Sequence, residues 1–245
     1  MIQHRALEDY RHACLGVLDL KPLRITFKML GPRMGYDPLH LDGVLAWCAV
    51  EYATNGQGVP DFADPYDIPL PLACLWHDPH SGLPLWASTD FEPGGKVRRA
   101  TLHWHKRAPR PELVTKSAGH PWNIRLTKGT YKELRLPLPG ELCAEWHADC
   151  IGDPIEVANL LRCLGAHVGK KRSQGYGALQ AIAMQEVDNF SLFGDAGRPR
   201  RPIPLSALVS VVARDTVVDL NLRSGNFLGW TPPYWLPACQ GLVAT

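Results

Sequence analysis

Between an amphipathic stretch, IEVANLLRCLGAHV (155–168), and an apolar run, ALQAIAMQEV (178–187), stand the nine residues GKKRSQGYG (169–177). Three glycines in nine positions permit close backbone approach and positive φ, so helix and strand are joined either by a loop shaped to hold a ligand or by an ordinary αβ turn with surface cations. It is not a P-loop: Tyr176 and Gly177 stand where GxxxxGK[ST] requires Lys and then Ser or Thr, and no helix follows. Its glycines still allow peptide N–H groups to line an anion-binding concavity. Lys170, Lys171 and Arg172 add charge, and Tyr176 offers a ring on which a base stacks for about 1–3 kcal/mol.

Periodicity supplies the elements around this loop. LRITFKML (23–30) alternates Leu23, Ile25, Phe27 and Met29 with Arg24, Thr26 and Lys28, the pattern of a half-buried strand. GPRMGYDP breaks it, and LHLDGVLAWCAVEYAT (39–54) carries Leu41, Val44, Leu45, Cys48 and Tyr52 at helical spacing, a helix ending near NGQG. PLACLWHDPHSGLPLWASTDF (71–91) predicts two strands about the turn HDPHSG. A basic strand pair follows, KVRRATLHWHK and NIRLTKGTYKELRLPL, then a strand ELCAEWHADC (141–150). Asp153 as N-cap and Pro154 in the first turn open a helix over 155–168, and 178–187 is a strand. With the basic segment set aside, the order strand, helix, strand, strand, helix, strand predicts an α+β chain built on a ferredoxin-like (RRM-like) βαββαβ unit. Residues 1–95 form its first part, 96–140 a basic insertion and 141–187 its second part with the glycine-rich loop. Residues 188–245 form a C-terminal extension that begins with a linker, FGDAGRPRRPIP.

The 245 residues are enough to bury a substantial core, and a net charge of +2 conceals a segregation. Residues 96–135 hold eleven Lys or Arg against two acids, while the rest of the chain carries 15 basic and 22 acidic residues. A polyanion-facing surface on an acidic body explains that asymmetry, and so does a solvated basic face. No apolar run reaches the roughly 18 residues of a membrane span, and MIQHRALEDYRHACLG carries acids without the apolar core of a signal peptide. Seven cysteines at irregular spacings read as reduced thiols, with Cys14, Cys48, Cys74 and Cys163 among apolar neighbours in packing roles. The expectation is a cytoplasmic protein with no membrane partner and no cofactor.

A loop of the form G-[basic]-x-x-x-G-[aromatic]-G, between the second helix and the last strand of a ferredoxin-like fold, resembles the hallmark of the RAMP superfamily of CRISPR-associated RNA-binding proteins. PLHLDGVLAW (38–47) after the first strand and GWTPPYW (229–235) resemble, more narrowly, the type IV effector subunit of the Cas-five kind. The likeness covers roughly residues 20–187 by architecture, plus the C-terminal motif. It implies a non-catalytic subunit that caps the 5′ handle of the CRISPR RNA. Its partners would be that RNA, the backbone and large subunits of the complex, and target DNA near the first paired bases. RNA backbone would contact Gly169, Lys170, Lys171, Arg172, Ser173, Gln174, Gly175, Tyr176 and Gly177. Handle-capping members extend a thumb from the sheet, a role the basic insertion would fill through Arg98, Arg99, Lys106, Arg107, Lys116, Arg125 and Lys128. His40 lies in the region, after the first strand at the start of the first helix, where RNA-processing relatives often place a catalytic histidine. The alternative is therefore a metal-independent endoribonuclease with His40 as base; otherwise His40 contacts RNA or packs. A generic nucleic-acid adaptor is a further reading.

Several residues keep two readings. Arg24 and Lys28 share one strand face, with Arg33 in the loop beyond; they meet RNA on an open sheet or pair with surface carboxylates. Trp122 stacks a base or packs inside the insertion. His103 and His105 share a strand face opposite Trp104, where phosphate contact or solvent is favoured over a metal. Cys143, His147 and Cys150 lack a CxxC pair, so no zinc is assigned. Trp230, Tyr234 and Trp235 anchor a neighbouring subunit or close the domain's own core.

Overall fold

A computed structural model describes residues 2–56, 68–106, 132–194, 196–213 and 220–245. The alternation in the first predicted strand produces β1 (Lys21–Met29): Leu23, Ile25 and Phe27 are buried, and Arg24, Thr26 and Lys28 lie on the opposite face. β1 is the centre of a four-stranded sheet. It pairs antiparallel with β8 (Glu145–Gly152) on one side and β9 (Leu179–Glu186) on the other, and β8 pairs with the short β5 (Glu92–Pro93), giving the order β5-β8-β1-β9. Two helices follow two of these strands. α2 (Leu41–Thr54) comes after β1 and ends at Asn55 in the left-handed region, φ 52°. α3 (Pro154–Arg162) comes after β8, where the Asp153 carboxylate accepts the N–H groups of Ile155 and Glu156 at 2.9 and 3.0 Å, the predicted cap. An additional helix, α1 (Ile2–Cys14), packs on α2 through Tyr10 and Tyr52, whose rings meet edge to face at 5.7 Å.

The main core lies between the sheet and these helices and includes the stacked rings of Phe27 and Phe91, 4.3 Å apart. A second core joins β3 (Cys74–His77) and β4 (Pro84–Trp86) to the C-terminal β10 (Ile203–Pro204), α4 (Leu205–Val212), β11 (Ser224–Gly229) and β12 (Gln240–Ala244). The expected hairpin at 71–91 therefore exists, but outside the main sheet. Leu83 and Leu85 pack with Leu192, Phe193 and Trp230, and only single bridges at Leu72 and Ser88 reach β8. Between Thr89 and Glu92 the chain leaves β8, and the Asp90 and Phe91 N–H groups donate to the Arg200 and Leu39 carbonyls at 2.9 and 2.8 Å.

Within the basic segment β6 (Arg98–Lys106) pairs antiparallel with β7 (Leu134–Leu142), a strand pair we call the hairpin, and β2 (Arg33–Met34) pairs with β7. The strand expected over 141–150 is thus two strands, divided at Cys143 and Ala144, where the Met29 N–H donates to the Ala144 carbonyl at 2.8 Å. FGDAGRPRRPIP is not a linker. Arg201 is buried and Arg200 nearly so. Arg201 bonds Asp42 at 2.8 Å, the Trp86, Ser88 and Trp230 carbonyls, and the Tyr234 hydroxyl, which in turn bonds Asp42. This bolts the C-terminal segment to the first turn of α2.

Candidate functional site

The glycine-rich loop is clamped at its base. The Val168 N–H donates to the Gly177 carbonyl at 2.9 Å, the Gly177 N–H to Pro32 at 2.9 Å and the Leu179 N–H to Ala166 at 2.8 Å. A Cβ on Gly177 would stand 1.8 Å from the Val168 carbonyl oxygen, so that glycine is required by close backbone approach as well as by its φ of 67°. A 3₁₀ turn over Arg172–Gln174 follows, with the Gln174 and Gly175 N–H groups donating to Lys171 and Arg172. Three of the loop's peptide donors, those of Gln174, Gly175 and Gly177, are therefore engaged within the fold.

Each of the three cations is aimed differently. Lys170 Nζ lies 2.5 Å from Asp37 Oδ2, both side chains largely exposed. Its hydrogen bond and charge hold the Asp37 carboxyl below the usual range. Lys171 sits at φ 61°, a left-handed conformation costing a side-chain-bearing residue roughly 1–2 kcal/mol. From there its ammonium lies 5.0 Å over the ring of Trp104, joining the loop to the hairpin. Arg172 stacks its guanidinium 4.0 Å over Trp47 on α2. Ser173, Gln174 and Gly175 form the exposed tip, and Tyr176 is half-buried.

Beside the loop lies a cleft of about 320 Å³ whose walls include His40, Val44, Trp47, Gly169, Arg172 and Trp235. Helical spacing explains one wall, since positions 40, 44 and 47 recur on one face where α2 begins. His40 is held on two sides. Its Nδ1 lies 2.5 Å from Asp90 Oδ1, and its ring stacks on Tyr234 with centroids 3.9 Å apart. The pairing with Asp90 fixes the ring's orientation and leaves Nε2 as the nitrogen available to a ligand. Trp235 at the rim is 68% exposed, whereas Trp230 of the same motif is in the second core. GWTPPYW is thus divided between packing and surface.

The remaining predicted residues separate. Arg24 pairs with Asp149 at 2.7 Å and Lys28 with Glu145 at 3.9 Å, so the carboxylate reading describes both. Arg33 is buried, bonds Glu141 at 2.6 Å and the Asp37 carbonyl at 2.8 Å, and covers Trp146; it fastens the hairpin root and is withdrawn from any ligand. Arg99 shares Glu141 and lies over Tyr36, while Arg98 and Lys106 are exposed along β6. Arg107, Lys116, Trp122, Arg125 and Lys128 lie outside the described residues. His103 and His105 share a face of β6, ring centroids 6.3 Å apart. Cys143 and Cys150 are buried. Among the described residues no group of three His, Cys, Asp or Glu is placed to hold a metal ion, and no helix is long and apolar enough to cross a membrane.

Sequence reasoning missed Asp90, Asp37 and the role of Trp47. Trp47 was accessible, one helical face from His40; the two aspartates have no local signal, because tertiary pairing alone brings them to the site. No protein-family model matches the chain, and no curated protein is significantly similar to it.

Proposed function

We propose that this chain is an RNA-binding subunit of the RAMP kind, holding the 5′ handle of a CRISPR RNA within a type IV effector complex. The observation that carries the reading is a clamped glycine-rich loop that sends Arg172 into a cleft against Trp47 and Lys171 onto Trp104 of the basic strand pair. Further support comes from the strand order β5-β8-β1-β9 with helices after β1 and β8, the arrangement of a ferredoxin-like unit with this loop between its second helix and last strand.

On this reading phosphates lie against Lys170, Lys171 and Arg172, and binding weakens steeply with salt as counterions return to the RNA. Giving up the Asp37 partner costs Lys170 little, because an exposed ion pair is worth about 0–1 kcal/mol. Arg98 and Lys106 extend the cationic track along the hairpin. The backbone and large subunits of the complex, and target DNA, are the further partners proposed.

The pair His40–Asp90 supports a second reading, an endoribonuclease that needs no metal. His40 Nε2 would take the proton of a 2′-hydroxyl, Asp90 would steady the imidazolium, and Arg172 would face the phosphate. One experiment separates the readings. Pure protein is mixed with end-labelled repeat-derived RNA in chelator, and its binding and cleavage are compared with those of the Lys170/Lys171/Arg172→Ala variant. Salt-sensitive binding without cleavage, lost in the variant, is expected. A discrete cut that disappears in His40→Ala would replace the capping reading by the nuclease. Equal affinity for RNA of any sequence and end would indicate a generic adaptor.

A further inference from the structure

The cleft beside the loop is built for something flat. One wall carries a guanidinium lying 4.0 Å over the indole of Trp47, and the rim carries the exposed indole of Trp235. A largely exposed tryptophan forfeits apolar burial, and an arginine held over one aromatic ring is a ready partner for a further π system. Val44 and Gly169 also line the cleft, and a volume of about 320 Å³ falls in the range of small-ligand pockets. Two further cations, Lys170 at Asp37 and Lys171 over Trp104, belong to the same loop.

We infer that this cleft takes one extruded nucleobase of the bound RNA, stacked against Trp235 and the Arg172–Trp47 pair, while the adjoining phosphates rest on Lys170 and Lys171. The inference rests on the RNA-binding reading and adds to it a single-base subsite. Aromatic stacking accepts every base, so the contact fixes the register of the strand more than its sequence.

The test is a coupling experiment on the full chain. Handle RNAs, each with one abasic position, are titrated against wild type and Trp235→Ala, with thermal denaturation of both proteins as a control for folding. One abasic position is expected to weaken wild-type binding by about 5- to 100-fold, the range that stacking supplies. Trp235→Ala should weaken the intact RNA by a similar factor and the RNA abasic at that position no further. If Trp235→Ala binds every RNA as wild type does, or if the two losses multiply, the subsite is wrong even though RNA binding stands. If wild type shows no salt-sensitive RNA binding, the broader reading fails first. Nucleoside monophosphates that quench Trp235 at the concentrations that suffice for RNA would make the cleft a free-nucleotide site and overturn the inference.

Discussion

Two short basic runs beside glycines meet opposite fates in this molecule. In GKKRSQGYG (169–177) the lysines stay at the surface, one of them against an exposed aspartate. In GRPRRP (197–202) Arg200 and Arg201 turn inward, Arg201 onto Asp42 and Arg200 onto Asp149 and Glu92. Local composition barely separates the two runs. What separates them is the delivery of carboxylates from far along the chain: Asp42 lies 159 positions from Arg201, and Asp149 lies 51 from Arg200. A buried charge survives only when it is paired and hydrogen-bonded, so the inward run belongs to the fold, while the outward run, whose partners are an exposed aspartate and two indole rings, is the one we propose meets RNA.

The strongest way to break this comparison is Arg201→Ala. It leaves Asp42, which is fully buried, beside Tyr234 without its guanidinium, and removing one partner of a buried pair costs about 3–5 kcal/mol. Urea denaturation should register that loss, whereas Lys170/Lys171/Arg172→Ala should change stability by less than about 1 kcal/mol while abolishing RNA binding. Similar stability losses in both variants would mean that the loop, too, belongs to the framework.

A milder test turns on Asp149. Burial alone would push its carboxyl up, but hydrogen bonds and charge from Arg24 and Arg200 outweigh that and hold it below the usual range. The sign follows. A carboxyl depressed in the folded state contributes its full stability above its unfolded value of about 3.9, and that contribution is lost as pH falls through the lower folded value. Asp149→Asn should therefore cost about 2 kcal/mol at neutral pH, with the wild-type and variant denaturation curves converging in acid. Parallel curves at every pH would assign the loss to packing instead.

The same contrast marks how far the sequence could be read. Alternation in 23–30 sufficed for β1 because one face is buried and the other is not, and Asp153–Pro154 sufficed for the start of α3 because capping is local. The loop announced itself through glycines that its backbone requires. α1 went unseen, since it is largely polar and, among its described side chains, the buried ones are the sparse Leu7 and Tyr10. The partner of β8 at the sheet edge is only two residues long, too short for any period to show. Within the site, the cations were legible by charge. Their aim was not, because Trp47, Trp104 and Asp37 reach them through tertiary contact.

The smallest expected effect sharpens the comparison most, because it concerns the one carboxylate the exposed run does possess. Asp37 lies 2.5 Å from Lys170, and its carboxyl is depressed by the same kind of pairing that depresses Asp149. The two differ in exposure: the side chain of Asp37 is 71% accessible and that of Asp149 is 4%. In water the Asp37 pair stabilises the fold by about 0–1 kcal/mol, so Asp37→Asn should leave the denaturation curve almost unmoved. On the proposed RNA-binding function its consequence belongs to binding, where the carboxylate would compete with phosphate for Lys170 and repel the incoming strand. Removing it should raise RNA affinity a few-fold at low salt, with the gain fading as ionic strength rises and screens the repulsion. If affinity falls instead, Asp37 acts by holding Lys170 in place for the phosphate, and the outward run is preorganised by its carboxylate as the inward run is.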